Sequence, residues 1–234
     1  MIPIKTESAW RGTADCQNCG IRDMVLFADL NQDDFSLIHT PIDDLLYKPG
    51  QSLFSEAQHA GYVYTLRKGM LKLVRLTPDG RQRIVRILRP GDVAGPESIV
   101  QSQDDTEAVA LTDVSVCRIP VMVIHDLSQN SPRLHKRLMQ KWQGALKEAD
   151  DWLSGINFGT ARQRVRQFIL KMRQPDAPDV ALLFSRDDMG AMMDLKLETV
   201  SREVSALTKD GVIVPLDKQG RLYKIALPEA LQNG

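Results

Sequence analysis

The sequence predicts an α+β fold in which a β jelly roll is followed by a long helix and then by a winged helix-turn-helix. Three observations support it: short apolar runs punctuated by glycines between 45 and 120, a heptad pattern between 132 and 155, and a helix–turn–helix–hairpin order after 158. The predicted parts are an N-terminal cysteine-containing segment (1–30), a jelly-roll sensor domain (31–128), a dimerisation helix (129–157) and a winged helix-turn-helix domain (158–234).

Composition narrows the class of protein. The chain has 234 residues, 43% hydrophobic and 26% charged, and its net charge is zero, which is typical of soluble globular proteins. No apolar run approaches the roughly 20 residues of a membrane span, and the N-terminus lacks the layout of a signal peptide. We therefore expect a cytoplasmic protein without a membrane partner. Three cysteines are too few for a disulfide framework, so metal or redox chemistry is the better expectation for them.

The jelly roll is predicted from strands broken by turns at glycines. "MLKLVRL" alternates imperfectly, as a half-buried strand does, and "TPDG" is a proline-containing turn before the returning strand "RQRIVRIL". The turns are placed at Gly50, Gly69, Gly80, Gly91 and Gly95. Many short strands with regular turns favour a sandwich or barrel, here a jelly roll.

The long helix is predicted to pair with a second copy of itself. Its apolar positions fall at spacings of four, three, four and three, which is a heptad seam. The alternative is an amphipathic helix lying on its own domain, but two tryptophans on the seam favour a two-fold homodimer. The seam residues are Leu138, Trp142, Ala145, Ala149 and Trp152.

The C-terminal segment has the order of a winged helix-turn-helix. Ser185 is a candidate N-cap for a first helix, a turn follows at 194–196, and a second helix runs over 197–209 until Gly211 ends it. "VIVPLDKQGRLYKI" is predicted as a hairpin with its turn near 218–220.

The second helix of this motif suits the major groove of double-stranded DNA. Glu198 could accept a hydrogen bond from cytosine, Arg202 could donate two to guanine, and Ser201 is a short adaptable partner. The alternative is an ordinary polar helix face. Residues 158–234 contain 12 Lys and Arg against 10 Asp and Glu, so the prediction of DNA binding depends on order and spacing rather than charge.

At this point the sequence resembles a known family. "LETVSREVSALTKDGVI", placed after a jelly roll and a heptad helix, is similar to the Crp/Fnr superfamily of bacterial transcription regulators, over about residues 16–228. The resemblance implies a cyclic-nucleotide-binding-like jelly roll. Within Glu198-Thr199-Val200-Ser201-Arg202, the E-x-x-S-R pattern is that of the Fnr branch, whose Glu, Ser and Arg read TTGAT-like half-sites. The family also suggests that Arg186 anchors a phosphate, and that the hairpin "TPDGRQR" contacts RNA polymerase, as in activators.

The resemblance argues against a cyclic nucleotide as the ligand. Members that bind one carry an Arg-Ser pair after the Gly-Glu of the jelly roll, since the phosphate needs a cation and a donor. The aligned positions here are Thr106 and Glu107, which follow Asp104 and Asp105. The phosphate of a cyclic nucleotide bound at these positions would therefore face carboxylates instead of a cation.

The resemblance instead implies an iron–sulfur cluster of the [4Fe-4S] type that oxygen destroys. Cys16 and Cys19 form a Cys-x-x-Cys pair, which can chelate a soft metal, and Cys117 matches the distant cysteine ligand of the Fnr branch. The third N-terminal cysteine is absent, because Val25 and Phe27 occupy the obvious places. The fourth ligand would then be Asp23, a small molecule or one of the histidines His39, His59, His125 and His135.

Other interpretations stay open. Cys16 and Cys19 could support thiol oxidation or zinc binding with Cys117 as a structural thiol, and the regulator could sense another small ligand or respond only to its abundance. Haem is a minor option without a motif. An enzyme is not expected, since the chain has no nucleophile motif, no Gly-rich phosphate loop and no His-x-x-x-His pair.

Overall fold

The computed structural model of the chain describes residues 21–38, 40–55, 61–100 and 105–232. These residues form two compact units: residues up to 146, except 80–84, belong to the first, and the remainder to the second. The predicted α+β architecture of jelly roll, long helix and winged helix-turn-helix is confirmed. Among the described residues, no helix has both the length and the apolar character needed to cross a membrane.

The jelly roll contains eight strands among the described residues. They are β1 (Asp43–Tyr47), β2 (Ser52–Phe54), β3 (Tyr62–Lys68), β4 (Leu71–Leu76), β5 (Gln82–Leu88), β6 (Val93–Ala94), β7 (Glu107–Ala110) and β8 (Val114–Pro120). They form two four-stranded sheets in the orders β1-β8-β3-β6 and β2-β7-β4-β5. The two sheets enclose a core to which both contribute, with Leu66 and Val116 from the first and Leu71 and Leu88 from the second.

A second apolar cluster covers the opposite face of the β1-β8-β3-β6 sheet. It is built from the N-terminal segment 21–38, including α1 (Gln32–Ser36), together with α2 (Val121–Asn130) and the start of α3 (Pro132–Ile156). Leu26, Leu30, Ile124 and Leu134 are at most 1% exposed. Burial of side chains of this size stabilises the segment by roughly 1.5–3 kcal/mol each. The residues that follow the Cys16–Cys19 motif are therefore part of the jelly-roll unit.

The second unit is the winged helix-turn-helix. Its elements are α4 (Ala161–Lys171), β9 (Arg173–Gln174), β10 (Ala177–Leu182), α5 (Arg186–Met193), α6 (Leu197–Lys209), β11 (Ile213–Pro215), β12 (Leu222–Ile225) and α7 (Pro228–Gln232). The strands form one sheet in the order β11-β12-β10-β9. Val165 and Phe168 of α4 and the inward positions Val200, Val204 and Leu207 of α6 are buried, and the two helices pack against each other. The amphipathic pattern read over 197–209 therefore identified the correct face of α6.

Candidate DNA-reading helix and cysteine site

The outward face of α6 carries the polar residues that the sequence singled out. Glu198 and Arg202 are exposed, while Thr199 and Ser201 are partly buried beside them. Leu197, at the first position of the helix, is 47% exposed. A leucine here places an apolar side chain at the start of the exposed face. Such a side chain can contact a thymine methyl group but cannot hydrogen-bond to the polar edge of a base. The structure thus presents Glu198, Ser201 and Arg202 together on one accessible surface.

The turn between α5 and α6 fixes the direction of this surface. Asp194 ends α5 in the left-handed conformation, with φ of 55°, and the Leu195 N–H donates to the carbonyl oxygen of Gly190 at 3.1 Å. Arg164 of α4 donates to the carbonyl oxygen of Met193 at 3.1 Å. Asparagine and aspartate tolerate the left-handed region better than other non-glycine residues, which explains an aspartate here. The predicted turn at 194–196 is where the chain changes direction.

Ser185 and Arg186 organise the start of α5. The Ser185 hydroxyl accepts the Asp188 N–H at 3.0 Å, as the predicted N-cap requires. Arg186 donates to the hydroxyl of Tyr223 at 3.0 Å, and its guanidinium lies 5.9 Å from the centre of that ring. Arg186 therefore ties α5 to β12, and its contact with a DNA phosphate stays a prediction.

The hairpin of β11 and β12 forms the wing and adds cations that sequence reasoning missed. The Asp217 carboxylate accepts the N–H groups of Arg221 and Leu222 at 2.9 and 3.2 Å, which closes the turn. Lys218, Arg221 and Lys224 are exposed around it. The sequence could have indicated these cations, because all three lie at or after the glycine-containing turn of a short hairpin, where side chains are commonly exposed. Exposed cations beside a reading helix suit phosphates.

The structure places the predicted seam residues of α3 in different environments. Leu138 and Trp152 are each only 6% exposed: Leu138 belongs to the cluster below the N-terminal segment, and the Trp152 ring lies 6.1 Å from that of Phe168. Both are already buried within one protomer, which leaves them little side-chain surface for a second copy, and the predicted seam stays a prediction. The predicted seam combined two helix faces, since a heptad register alone does not say which apolar positions the protomer itself covers.

A different heptad on α3 is exposed. Met139, Leu146 and Leu153 are 42%, 65% and 58% exposed and lie seven residues apart. Trp142 and Ala149 fall between them at alternating spacings of three and four and are partly buried. Ala145 lies next to this row, not on it. Apolar side chains repeating every 3.5 residues on an exposed face are the pattern of a coiled-coil seam.

Cys117 lies in β8 on the face covered by the N-terminal segment. It packs against the cluster that contains Leu26 and Phe27, and its thiol donates to Asp44 Oδ1 at 3.5 Å. Cys16 and Cys19 lie outside the described residues. Among residues 21–38, 40–55, 61–100 and 105–232, no group of three or more His, Cys, Asp or Glu side chains is arranged to hold a metal.

The other candidates for a fourth ligand are spread over the first unit. Asp23 is exposed, and its backbone carbonyl accepts a bond from Arg137 at 2.6 Å. His125 and His135 are exposed on α2 and α3, while His39 and His59 lie outside the described residues. Asp44 did not attract attention in the sequence, because no motif links it to Cys117. Only the pairing of β1 with β8 brings the two together.

The predicted nucleotide-contacting positions lie at one end of β7. Glu107 opens this strand opposite Val74 of β4, and Thr106 precedes it. Both are partly buried, while Asp105 is exposed and Asp104 lies outside the described residues. These positions still offer carboxylates rather than a cation to a phosphate, so the expectation that the roll binds no cyclic nucleotide stays a prediction.

Comparison with known families matches both units. Residues 45–131 match the cyclic nucleotide-binding domain, and residues 163–233 match the Crp-like helix-turn-helix domain. The chain is 28% identical over 219 residues to the anaerobic regulatory protein of Aggregatibacter actinomycetemcomitans, covering 90% of this chain and 83% of the relative. It is also 28% identical over 225 residues to the fumarate and nitrate reduction regulatory protein of Yersinia pestis, covering 92% and 88%.

Solved structures show the same architecture. FixK2 from Bradyrhizobium japonicum superposes with a TM-score of 0.72 at 27% identity, over 82% of this chain and 96% of that one. A CRP-family transcriptional regulator from Thermus thermophilus gives 0.68 at 21% identity, over 80% and 94%, which supports the fold.

Proposed function

The chain belongs to the Crp/Fnr superfamily of bacterial transcription regulators, and from this premise we propose that it binds DNA as a homodimer at paired TTGAT-like half-sites. The observation that carries the proposal is the exposed face of α6, where Glu198, Ser201 and Arg202 stand together after a helix turn held by Gly190. Its partner DNA lies in the cytoplasm, and we place the protein there.

Each reading residue has a chemical counterpart in the half-site. Arg202 suits the O6 and N7 acceptors of guanine, and Glu198 suits the amino group of the cytosine opposite it. Leu197 offers an apolar contact to a thymine methyl, where an arginine would instead seek guanine. Lys218, Arg221 and Lys224 supply phosphate contacts that position the helix without reading sequence.

The dimer is proposed to form through the exposed heptad of α3. Met139, Trp142, Leu146, Ala149 and Leu153 would pack against the same residues of a second copy in a parallel coiled coil. Two-fold symmetry then presents two copies of α6 to half-sites about one helical turn apart. This arrangement explains why apolar residues are left exposed along a helix that is otherwise polar.

We further propose that the dimer responds to oxygen or redox state through Cys16, Cys19 and Cys117. The named relatives are anaerobic and fumarate–nitrate regulators, which supports such a signal. The position of Cys117 also supports this signal. Its thiol lies on the sheet face beneath the N-terminal segment and 3.5 Å from the Asp44 Oδ1 atom. An iron–sulfur cluster held there would supply oxygen sensitivity. The alternatives are thiol oxidation, zinc binding, another small ligand, or control by the abundance of the protein alone.

A separate proposal concerns activation of transcription. The hairpin of residues 77–83 would contact RNA polymerase.

The signal would act by shifting a two-state equilibrium of the dimer. A typical allosteric coupling of about 1–3 kcal/mol changes operator occupancy by about 5–150-fold. The N-terminal segment is well placed to transmit it, since Arg133 and Arg137 at the start of α3 bind Asp34 and the carbonyl oxygens of Asp23 and Val25.

The test is fluorescence anisotropy with a TTGAT-N4-ATCAA duplex and a scrambled duplex of equal composition. Protein prepared without oxygen and protein exposed to air are titrated at several salt concentrations. We expect binding that is selective by a factor of about 10³ or more and that weakens with salt. Equal affinity for both duplexes under every redox condition would refute sequence-specific binding.

A further inference from the structure

The wing carries an exposed apolar run on a hairpin whose other face is buried. Ile213 and Ile225, which lie opposite each other on β11 and β12, are at most 3% exposed. The next three residues, Val214, Pro215 and Leu216, are all exposed, Val214 by 44% and Leu216 by 53%. A strand with one buried face normally alternates apolar and polar residues. Three consecutive exposed apolar residues therefore indicate a surface with a function.

The backbone of the wing holds Leu216 at the start of its turn. The Leu216 N–H donates to the carbonyl oxygen of Leu222 at 2.8 Å. The next residue, Asp217, closes the turn by accepting the N–H groups of Arg221 and Leu222. Lys218 and Arg221 are exposed in the same turn. An ordered backbone thus presents an apolar side chain beside two cations.

This combination limits the chemistry of the partner. The acidic residue of the turn, Asp217, is engaged by backbone N–H groups, so the surface offers apolar side chains and positive charge. A matching partner has negative charge and apolar surface close together. The minor groove of DNA has both, because phosphates line its edges, sugar carbons form its walls, and apolar side chains such as leucine and proline enter it in other proteins.

The position of the wing in its own unit favours DNA over an acidic, apolar protein segment. β11 follows α6 after only a short turn, in which the Val212 N–H donates to the carbonyl oxygen of Leu207 at 2.9 Å. The wing surface is therefore continuous with the helix proposed to read DNA. With that helix in a major groove, the adjoining groove of the duplex is a minor groove.

We propose that Leu216 enters the minor groove of the DNA beside each half-site and gives the protein a preference for A·T base pairs there. This inference rests on the proposed DNA binding and adds a contact outside TTGAT. Lys218 and Arg221 would hold the phosphates on either side of the leucine.

The preference follows from the floor of the minor groove. A·T pairs present only the adenine N3 and thymine O2 acceptors, whereas G·C pairs add the amino group on guanine N2. This amino group projects into the groove, where it obstructs a leucine side chain and would be left without a hydrogen-bond partner against it. A·T-rich minor grooves are also narrower and more negative, which favours nearby cations.

The test uses TTGAT-N4-ATCAA duplexes that differ only in the base pairs outside the half-sites. The flanks are A·T, G·C or inosine·C, since inosine keeps the major-groove edge of guanine but lacks its minor-groove amino group. Wild-type full chain, Leu216→Ser and Leu227→Ser are titrated by fluorescence anisotropy. Leu227→Ser is the matched control, because Leu227 is 51% exposed in the same unit but lies outside the hairpin.

We expect the wild type to bind the A·T and inosine·C flanks alike and at least about 5-fold more tightly than the G·C flank. Leu216→Ser should lose this preference by binding the first two duplexes more weakly, while Leu227→Ser keeps it. Because both leucines are exposed, both variants should keep the wild-type melting temperature. Both should also keep the preference for TTGAT over a scrambled duplex.

Three results would overturn the inference. Equal binding of all flanks by the wild type excludes a minor-groove contact and leaves an acidic protein segment as the partner of the wing. An inosine·C flank that behaves like G·C places the preference in the major groove. A wild-type preference in Leu216→Ser assigns it to DNA shape. In each case selectivity for TTGAT over the scrambled duplex preserves the proposed function, whereas its absence with every flank refutes both.

Discussion

A β-carbon added to Gly190 would lie 2.5 Å from the carbonyl oxygen of Leu195. This close approach closes the turn between α5 and α6, where the Leu195 N–H donates to the Gly190 carbonyl. The Leu195 carbonyl oxygen belongs to the backbone rather than to the end of a flexible side chain, so it cannot move aside without moving the turn. The direction in which α6 presents Glu198 and Arg202 therefore depends on the absence of a side chain at position 190.

Gly190→Ala should destabilise the winged helix-turn-helix. Relieving the clash requires movement of the 194–196 turn, and overpacking of this kind costs about 1–3 kcal/mol. Thermal unfolding of the full chain followed by circular dichroism measures the change. The matched control is Gly144→Ala on α3, where an added Cβ meets nothing within 4 Å. This control should be neutral or slightly stabilising because alanine favours helix. Equal melting temperatures for the two variants would contradict the role of Gly190.

Arg202→Ala and Arg221→Ala should affect DNA binding in different ways. Removing Arg202, an exposed residue of α6, should cost about 1–3 kcal/mol on the TTGAT duplex and much less on a scrambled duplex, because a base contact is lost. Removing Arg221 from the wing should weaken both duplexes alike and lower the salt slope by about 1, because a phosphate contact is lost. Anisotropy titrations at several salt concentrations measure both effects. A uniform loss from Arg202→Ala would show that Arg202 contacts phosphate only.

Leu146→Glu should dissociate the dimer without unfolding the protomer. Leu146 is 65% exposed at the middle of the α3 heptad, and a pair of glutamates facing each other across a two-fold seam would repel. Sedimentation velocity over a range of protein concentrations measures the association. Gln140→Glu adds the same charge at an exposed position off the seam and should leave the dimer intact.

The two candidate seams, that of Leu138 and that of Leu146, can be distinguished by a second substitution. Leu138→Glu should lower the melting temperature sharply, because Leu138 is buried in the core of its own protomer and a charge there has no partner. If Leu146→Glu were fully dimeric and Leu138→Glu were a stable monomer, the seam first predicted from the sequence would be the right one.

Local signals predicted most of the winged helix-turn-helix. The capping residue Ser185, the apolar period of Val200, Val204 and Leu207 and the glycine after α6 each act within a few residues, so the sequence alone identifies them. The glycine turns of the jelly roll are equally local. The α+β architecture could therefore be predicted before any tertiary contact was known.

The surroundings of individual residues could not be predicted in the same way. They depend on which helices and strands pack together in the fold, and no local sequence pattern specifies that packing. Leu138 and Leu146 look alike in the sequence, and only the packing of segment 21–38 on the start of α3 makes one core and leaves the other exposed. Asp44 and Cys117 are 73 residues apart, and strand register alone brings them together. The contact of Arg186 with Tyr223 likewise depends on the fold, because 37 residues separate the two in the sequence.

Acid should weaken the attachment of the N-terminal segment to α3 through Asp34. Burial by itself raises the pKa of this carboxyl, but hydrogen bonds from Arg133, Asn31 and Ser131 more than offset it, so the pKa lies below its ordinary value of 3.8. A lowered folded-state pKa stabilises the fold above the unfolded-state pKa, and this contribution is lost as the pH falls through the lower, folded-state value. The melting temperature of the wild type should thus fall as the pH is lowered from about 5 to about 3. Asp34→Asn should melt lower at neutral pH and show a shallower fall, while Asp150→Asn, at an exposed position of α3, should follow the wild type. Parallel curves for wild type and Asp34→Asn would show that the bond between Arg133 and Asp34, 2.9 Å long, does not stabilise the segment.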